Sequence, residues 1–392
     1  ENPLEELLRK RLTRRDFIRY SLMGAIGIAA GLYGLSLFKP KNVSAVFEND
    51  APDSLWKWSK EALFQTETPR GIRCMICPNE CTLKPGELSD CHNRINKDGK
   101  LYTIAYGNPC AVHVDPVEKK PLFHYKPGSR AFSIATAGCN LACLNCQNWT
   151  ISQTTPTKTK NFDLMPDRVV QQATRYGCES IAYTYSEPIT FYEYTYDTSK
   201  LARKAGIGNI MVSAGYIHEE PLRQLCKVID AANIDLKSFK ESIYLKLNAG
   251  KLQPILEGLK IFHEEGVWLE ITNLVIPGWT DDFDMIKEMC DWLYDNDLYR
   301  YPLHFSRFYP QYKLTQLPPT PIATLEKARE IALAAGIKFV YIGNIPGTKA
   351  TNTYCPECRK LLVERRGYTI LSNHIKNGHC PYCNEPVPGV WE

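Results

Sequence analysis

Residues 136–148 read Thr-Ala-Gly-Cys-Asn-Leu-Ala-Cys-Leu-Asn-Cys-Gln-Asn and place Cys139, Cys143 and Cys146 in a Cys-x-x-x-Cys-x-x-Cys spacing. Three thiolates this close can hold three corners of a 4Fe–4S cube and leave one iron without a protein ligand. A closed zinc site would need a fourth ligand, and an electron-transfer cluster usually takes four cysteines. The spacing therefore favours a cluster with one open iron over a zinc knuckle that borrows a distant ligand.

The molecule that completes the iron in this spacing is usually S-adenosylmethionine, a cofactor for radical chemistry. The 392-residue chain has room for two or three domains, and its 44% hydrophobic and 23% charged residues are ordinary for a soluble protein. The net charge of +4 is weak, and the rest of the chain is near neutral without one N-terminal run of six basic residues: Arg9, Lys10, Arg11, Arg14, Arg15 and Arg19. The near-neutral body gives no support for nucleic-acid binding.

The first 47 residues resemble a twin-arginine export signal. The pair Arg14–Arg15 precedes an apolar, glycine-rich stretch at 21–38, and Val43–Ala45 has the small residues of a cleavage site. We expect the protein to be exported or anchored at the cell envelope, with residues 21–38 contacting the membrane if the signal is not cleaved. A cytoplasmic location is the alternative.

The fifteen cysteines are unevenly spread, and eleven fall into three groups at 74–91, 139–146 and 355–383. Tight Cys-x-x-Cys groups indicate metal sites rather than a disulfide framework. Residues 48–115 are predicted to form a small cysteine-rich module, whose four thiolates suit either zinc or a second iron–sulfur cluster: Cys74, Cys77, Cys81 and Cys91. The lone cysteines are expected to be small buried hydrophobes: Cys110, Cys178, Cys226 and Cys290.

Residues 116–348 are predicted to be an α/β domain of alternating strands and helices. The expected strands are Ala131–Ala135, Ser180–Tyr185, Asn209–Ser213, Asn233–Leu236, Val267–Leu274, Pro302–Phe308 and Lys338–Ile342. The expected helices are Asp167–Tyr176, Ile189–Ala205, Pro221–Ile229, Leu252–Glu265, Asp281–Asp295 and Thr324–Ala335. Repeated strand–helix units imply a parallel sheet, either doubly wound or a partial (β/α) barrel. Polar residues directly after the strands favour the barrel, whose ligands bind at that end.

Polar residues follow the successive strands, where a barrel would bring them to one rim around the open iron. After the second strand come Ser186 and Glu187, after the third Ser213, and after the fourth Asp235 and Lys237; the sixth strand carries His304.

These motifs resemble the radical S-adenosylmethionine superfamily. The three cysteines and Ser186-Glu187-Pro188 match its cluster and cofactor motifs, with serine where the cofactor motif carries glycine. Asp235-Leu-Lys237 and the segment 275–278 look like the activases of glycyl-radical enzymes, typified by the pyruvate formate-lyase activating enzyme.

A narrower resemblance is to the radical enzyme of the AmmeMemoRadiSam system. It rests on segments 115–125, 183–188 and 304–310. Lys119 and Lys120 in the first segment could also be a solvated surface pair.

The resemblance implies a role for each of these residues. Cys139, Cys143 and Cys146 would hold a 4Fe–4S cluster, and S-adenosylmethionine would chelate its fourth iron. The cofactor would lie near Ser186, Glu187, Ser213 and Asp235, and the catalytic residues would be Asp235, Lys237 and His304. A one-electron reductant of the ferredoxin or flavodoxin type would drive cleavage of the cofactor, which then removes a hydrogen atom from a protein or small-molecule substrate.

Residues 349–392 are predicted to form a zinc-ribbon-like module. Two knuckles supply four thiolates for a closed zinc site or a rubredoxin-like iron site: Cys355, Cys358, Cys380 and Cys383. The strands between them would turn at Arg366-Gly367.

The leading hypothesis is thus a radical enzyme that uses S-adenosylmethionine. One alternative is a membrane-tethered iron–sulfur electron carrier. Another is a zinc-ribbon nucleic-acid binder, which the near-neutral body disfavours.

Overall fold

The computed structural model describes residues 41–42 and 57–391. The twin-arginine pair, the stretch 21–38 and the small-residue pattern 43–45 lie outside the described residues. Among those described, no helix has both the length and the apolar character needed to cross a membrane.

The N-terminal module is built from short antiparallel strands. After β1 (Lys41–Asn42), the strands are β2 (Lys60–Glu61), β3 (Gln65–Thr68), β4 (Gly71–Cys74), β5 (Thr82–Leu83), β6 (Arg94–Lys97) and β7 (Lys100–Thr103). They pair as two three-stranded sheets, in the orders β2-β7-β6 and β3-β4-β5. The apolar side chains that are buried in this module include Trp58, Ile72, Leu83 and Leu101.

An eight-stranded sheet forms the centre of the protein. Its strands are β8 (Ala111–Pro116), β9 (Arg130–Ala135), β11 (Ser180–Tyr183), β12 (Gly208–Ser213), β13 (Ala231–Asp235), β14 (Trp268–Val275), β15 (Leu303–Arg307) and β16 (Val340–Gly343), while β10 (Lys160–Asn161) pairs with β1. All seven predicted strands are present, with boundaries shifted by at most a few residues. Their near-continuous apolar runs are typical of parallel strands covered on both faces.

The order of the strands separates the barrel from the doubly wound sheet. From β9 to β16 each strand pairs in parallel with the next one along the chain, apart from β10, and the order never reverses. A doubly wound sheet would reverse at a switch point. In the part of the chain that the structure describes, β8 and β16 are the two edges of this sheet, so the barrel is partial.

The first strand of this sheet belongs to the predicted N-terminal module. β8 pairs antiparallel with β9 along its whole length, from Ala111 opposite Ala135 to Pro116 opposite Arg130. The predicted boundary at 115/116 therefore falls inside a strand.

Helices alternate with the parallel strands along the chain, and several of them pack on the sheet. They are α1 (Trp149–Ser152), α2 (Pro166–Arg175), α3 (Tyr192–Lys204), α4 (Glu219–Cys226), α5 (Glu241–Ile243), α6 (Gln253–Glu264), α7 (Phe283–Asp295) and α8 (Ile322–Ala334). Gly206 and Gly266 follow α3 and α6 with φ of 72° each, the left-handed conformation that ends a helix.

The C-terminal module is a small antiparallel sheet that packs on the start of the barrel strands. Its strands are β17 (Thr353–Tyr354), β18 (Leu361–Arg366) and β19 (Thr369–Asn373), and the predicted turn at Arg366-Gly367 joins the last two. The guanidinium of Arg365 donates to the Phe123 carbonyl at 2.7 Å and lies over the Phe123 ring. The last residues bind the same segment, because Val390 N–H donates to the His124 carbonyl at 2.7 Å.

His124 is expected to make stability depend on pH. Burial lowers the pKa of His124 to about 4, whereas an unfolded histidine binds its proton near pH 6.5. Between these values the unfolded state binds more protons, so the free energy of unfolding falls as pH falls. The contribution of neutral His124 to the free energy of unfolding is complete above about pH 6.5. About 2 kcal/mol of this free energy is lost between pH 7 and pH 5. Urea unfolding at several pH values measures it.

The matched variants are His124→Gln and His374→Asn, the second at an exposed position. We expect His124→Gln to flatten the pH dependence and His374→Asn to leave it unchanged. Equal slopes in the wild type and His124→Gln would contradict the assignment to His124.

Candidate active site and metal centres

The three-cysteine loop follows β9, and nearby N–H groups point at its sulfur atoms. The backbone N–H of Leu141 donates to Cys139 Sγ at 3.4 Å, and Asn248 Nδ2 donates to Cys143 Sγ at 3.2 Å. Asn248 ends the π-helical turn Tyr244–Asn248, and its carbonyl oxygen accepts a backbone N–H of the cysteine loop at 2.9 Å. These donors stabilise negative charge on sulfur, as a metal-bound thiolate requires.

The loop thiols suit a cluster of several irons. Burial raises the pKa of Cys139 and of Cys146, and the neighbouring Cys143 sulfur raises both further. Such thiols stay protonated unless a metal cation replaces the proton. The described sulfur atoms of these three residues do not all lie within 4.8 Å of one another, as the ligands of a single ion would. This wider spacing fits a cluster better than a single ion.

The predicted cofactor residues Glu187 and Ser213 contact each other. Ser213 Oγ donates to Glu187 Oε1 at 2.7 Å, the Ala214 N–H donates to Oε2 at 2.9 Å, and the Ile189 N–H donates to Oε1 at 3.2 Å. Glu187 is only 2% exposed, and burial raises its pKa despite these bonds. The carboxyl group thus joins the ends of β11 and β12 at the rim.

Ser186 holds the cysteine loop in place. Its Oγ donates to the Thr136 carbonyl at 2.7 Å, and Asn148 Nδ2 donates to the Tyr185 carbonyl at 2.7 Å. Thr136 and Asn148 are the two ends of the cysteine loop, so both ends are tied to the end of β11. The serine that replaces the family's glycine supplies one of these two bonds.

Asp235 and Lys237 form an ion pair that faces the cysteine loop. Lys237 Nζ lies 2.8 Å from Asp235 Oδ2. Burial lowers the pKa of Lys237, but Asp235 and the Cys143 sulfur outweigh it and hold that pKa above its usual range. Burial raises the pKa of Cys146, and the same ammonium group opposes this shift. The side chain of Lys237 therefore stays protonated, and its positive charge lies beside the loop sulfurs.

His304 lies inside the barrel and has a partner that the sequence did not indicate. His304 Nε2 lies 2.7 Å from Glu270 Oε2, and the two side chains are 4% and 0% exposed. Asp235, Thr272 and His304 occupy one row of the sheet, since Asp235 is opposite Thr272 and Thr272 is opposite His304. The histidine thus lies two strands, roughly 10 Å, from Asp235 on the same face. The signal for Glu270 was a single acidic residue within an otherwise buried strand.

Lys120 is buried, so the alternative that it belongs to a solvated surface pair is wrong. Its Nζ lies 2.6 Å from Asp115 Oδ2 and its side chain is 2% exposed, whereas Lys119 is 45% exposed. Tyr185 also donates to Asp115 and lies 4.3 Å below the Lys120 ammonium. Burial lowers the pKa of Lys120 to about 8, although Asp115 opposes the shift. The group lies inside the barrel, between β8 and the end of β11.

The C-terminal cysteines converge on one point. The Sγ atoms of Cys355 and Cys383 are 3.5 Å apart, those of Cys358 and Cys380 are 3.7 Å apart, and all four lie within 4.8 Å of one another. Four thiolates around one zinc ion would be ~3.8 Å apart. The site fits a single tetrahedral ion, either zinc or iron.

A three-thiolate loop after the first parallel strand, faced by polar groups at the ends of the next three, defines a radical S-adenosylmethionine fold. The chain belongs to that superfamily. The model of the Radical SAM superfamily matches residues 133–293. Membership implies a 4Fe–4S cluster and S-adenosylmethionine as cofactors, and the residues of the loop fit both.

The chain is also similar to individual proteins and solved structures. The chain is 44% identical over 331 residues to an uncharacterized protein of Methanocaldococcus jannaschii, which covers 84% of this chain and 98% of that protein. It is 24% identical over 229 residues to the pyruvate formate-lyase 1-activating enzyme of Escherichia coli K12, covering 55% of this chain and 93% of that enzyme. A crystal structure of a domain of the pyruvate-formate lyase-activating enzyme from Bacteroides vulgatus is similar with a TM-score of 0.38 and 17% identity, over 42% of this chain and 99% of that chain.

Proposed function

We propose that this enzyme cleaves S-adenosylmethionine reductively at the loop Cys139–Cys146 and removes a hydrogen atom from a protein or small-molecule substrate. One observation carries the proposal: the Glu187–Ser213 contact and the Asp235–Lys237 pair meet around the three thiols at the carboxyl end of the sheet. Ligands of barrel enzymes bind at this end.

The residues of the rim would each have a distinct task. Cys139, Cys143 and Cys146 would hold the cluster, which when bound supplies the electron that breaks a carbon–sulfur bond of the sulfonium. Glu187 accepts three hydrogen bonds from protein donors, so it would position the rim rather than exchange protons. Lys237 would stabilise negative charge on the loop sulfurs.

The substrate would bind toward the interior of the barrel. His304 with Glu270, and Lys120 with Asp115, are buried polar pairs on the inner face of the sheet, below the cysteine loop. Groups this well shielded would keep water from a reactive intermediate. The 24% identity to the pyruvate formate-lyase 1-activating enzyme supports an activase-like reaction, driven by a one-electron donor of the ferredoxin or flavodoxin class. The narrower resemblance to the AmmeMemoRadiSam radical enzyme rests on the sequence motifs alone.

The direct test is product analysis on the anaerobically reconstituted full chain. With S-adenosylmethionine and a chemical reductant, we expect 5′-deoxyadenosine and methionine in equal amounts. Protein that carries its full iron and sulfide but forms neither product would contradict the proposal. If such protein also binds no S-adenosylmethionine in calorimetry, the electron-carrier alternative gains support.

A further inference from the structure

The four cysteines of the N-terminal module surround a cavity. Cys74, Cys77, Cys81 and Cys91 line a small cavity. Cys74 and Cys91 are buried, and Cys77 and Cys81 are half-buried. One side of the cavity is thus close to the surface.

The geometry of these four thiols differs from that of the C-terminal set. In the described structure no three of their sulfur atoms lie within 4.8 Å of one another, whereas all four C-terminal sulfurs do. A single zinc or iron ion needs the compact arrangement. A 4Fe–4S cluster places irons and sulfides between the thiolates and needs them further apart around a hollow.

The chemistry of the lining also favours a cluster. Besides the cysteines, the lining residues are Ile76, Asn79, Ser89, Arg94, Asn140, Ile189 and Thr190, with no histidine and no carboxylate among them. The Asp90 carboxylate lies 3.5 Å from Cys81 Sγ. A site whose protein ligands are all thiolates suits an iron–sulfur cluster. Arg94 lines the same space, so a positively charged side chain lies beside the thiols.

The cavity shares a wall with the three-cysteine loop. Gly138, next to Cys139, has φ of 99°, and a Cβ added there would lie 2.3 Å from the Cys91 carbonyl oxygen. On the other side of Cys139, the Asn140 carbonyl accepts a hydrogen bond from Asn79 Nδ2 at 2.9 Å, and Asn140 itself lines the cavity. The two cysteine sites are therefore neighbours through the backbone on both sides of Cys139.

We propose that Cys74, Cys77, Cys81 and Cys91 hold a second 4Fe–4S cluster, which relays electrons to the cluster at Cys139–Cys146. A one-electron donor of the ferredoxin or flavodoxin class reduces the second cluster by one electron. That electron passes to the loop cluster, where cleavage of one S-adenosylmethionine consumes it. The relay rests on the proposed function, whereas the identity of the second cluster does not.

The first experiment removes the loop cluster. The triple variant Cys139→Ala, Cys143→Ala, Cys146→Ala is reconstituted anaerobically with ferrous iron and sulfide. We expect about four inorganic sulfides per chain and about four irons, apart from one metal ion at the C-terminal site. The reduced protein should give a 4Fe–4S EPR signal that S-adenosylmethionine does not alter. A folded triple variant without inorganic sulfide, or with a second equivalent of zinc, overturns the proposal.

The second experiment tests the relay. Cys77→Ser with Cys81→Ser, at the half-buried positions, should remove about four sulfides from the full-length protein. Cys226→Ala, at the end of an outer helix, should remove none. We expect the double variant to retain cleavage of S-adenosylmethionine when dithionite is the reductant. When flavodoxin is the reductant, its rate of cleavage should be at least about tenfold lower than that of the wild type.

Equal rates with flavodoxin in the wild type and the double variant overturn the relay. An equal loss with both reductants also overturns it, because that result indicates a structural role. Failure of the wild type to cleave S-adenosylmethionine would count against the proposed function and leave the sulfide count of the triple variant unaffected.

Discussion

Cys143→Ala is expected to reduce formation of 5′-deoxyadenosine to the background rate. The loop has only three protein ligands for the cluster. With two thiolates left, the site cannot both hold the cluster and leave one iron free for S-adenosylmethionine. Cys143 also accepts the hydrogen bond from Asn248 and faces Lys237, so its loss removes the anion around which these groups are arranged. Product formation by liquid chromatography and cluster absorbance measure the effect.

Cys226→Ala is the control, because it removes a cysteine that lies at the end of α4 and outside the three cysteine groups. We expect it to keep wild-type iron content and rate. Undiminished product formation by Cys143→Ala would mean that the chemistry does not depend on this loop.

Glu193→Gln is expected to destabilise the protein by about 3–5 kcal/mol. Glu193 and Arg94 form a two-pronged ion pair with both N–O distances at 3.0 Å, and their side chains are 0% and 2% exposed. Glu193 lies on α3 and Arg94 on β6, so the pair joins the N-terminal module to the barrel. Removal of one carboxylate leaves a guanidinium charge buried without its counter-ion. The midpoint of chemical unfolding should fall accordingly.

An exposed pair provides the comparison. Arg223 lies 2.8 Å from Glu219 on α4, where Glu219 is 67% exposed, and Glu219→Gln should cost less than about 1 kcal/mol. The double variant Arg94→Met with Glu193→Met should recover part of the stability, because no charge is then left buried. A Glu193→Gln midpoint equal to that of Glu219→Gln would contradict the importance of the buried pair.

The sequence predicted the strand–helix units because each strand is a short apolar run followed by a helix, and the polar residues after the strands favoured the barrel over the doubly wound sheet. The predictions that were wrong concern turns and residues whose partners are distant in the chain. The second strand ends at Tyr183, since Tyr185 takes a left-handed φ of 64° and turns its side chain toward Asp115. That conformation is rare for an aromatic residue, and local propensity does not indicate it.

Charged residues that pair across domains could not be assigned from the sequence. Lysine is usually a surface residue, and only the fold shows that Asp115 and Tyr185 lie beside Lys120. Arg94 and Glu193 are 99 residues apart in the chain. No periodic pattern connects such partners, because burial of a charge depends on which elements meet in space.

The two four-cysteine groups show a similar limit. Spacing alone left zinc and iron open at both. Sulfur positions separate a compact set at Cys355–Cys383 from an open one around the cavity at Cys74–Cys91. This difference depends on how the flanking strands hold each knuckle.

Electron–nuclear double resonance of the reduced full-length protein tests the central claim most directly. The sample contains S-adenosylmethionine labelled with ¹⁵N at the amino group or ¹⁷O at the carboxylate, and Cys139→Ala, Cys143→Ala, Cys146→Ala serves as the blank. We predict hyperfine coupling from both labels to a 4Fe–4S cluster in the wild type and none in the triple variant. A wild-type protein with a fully loaded cluster and no coupling from either label would contradict the claim that the loop Cys139–Cys146 keeps an iron open for S-adenosylmethionine.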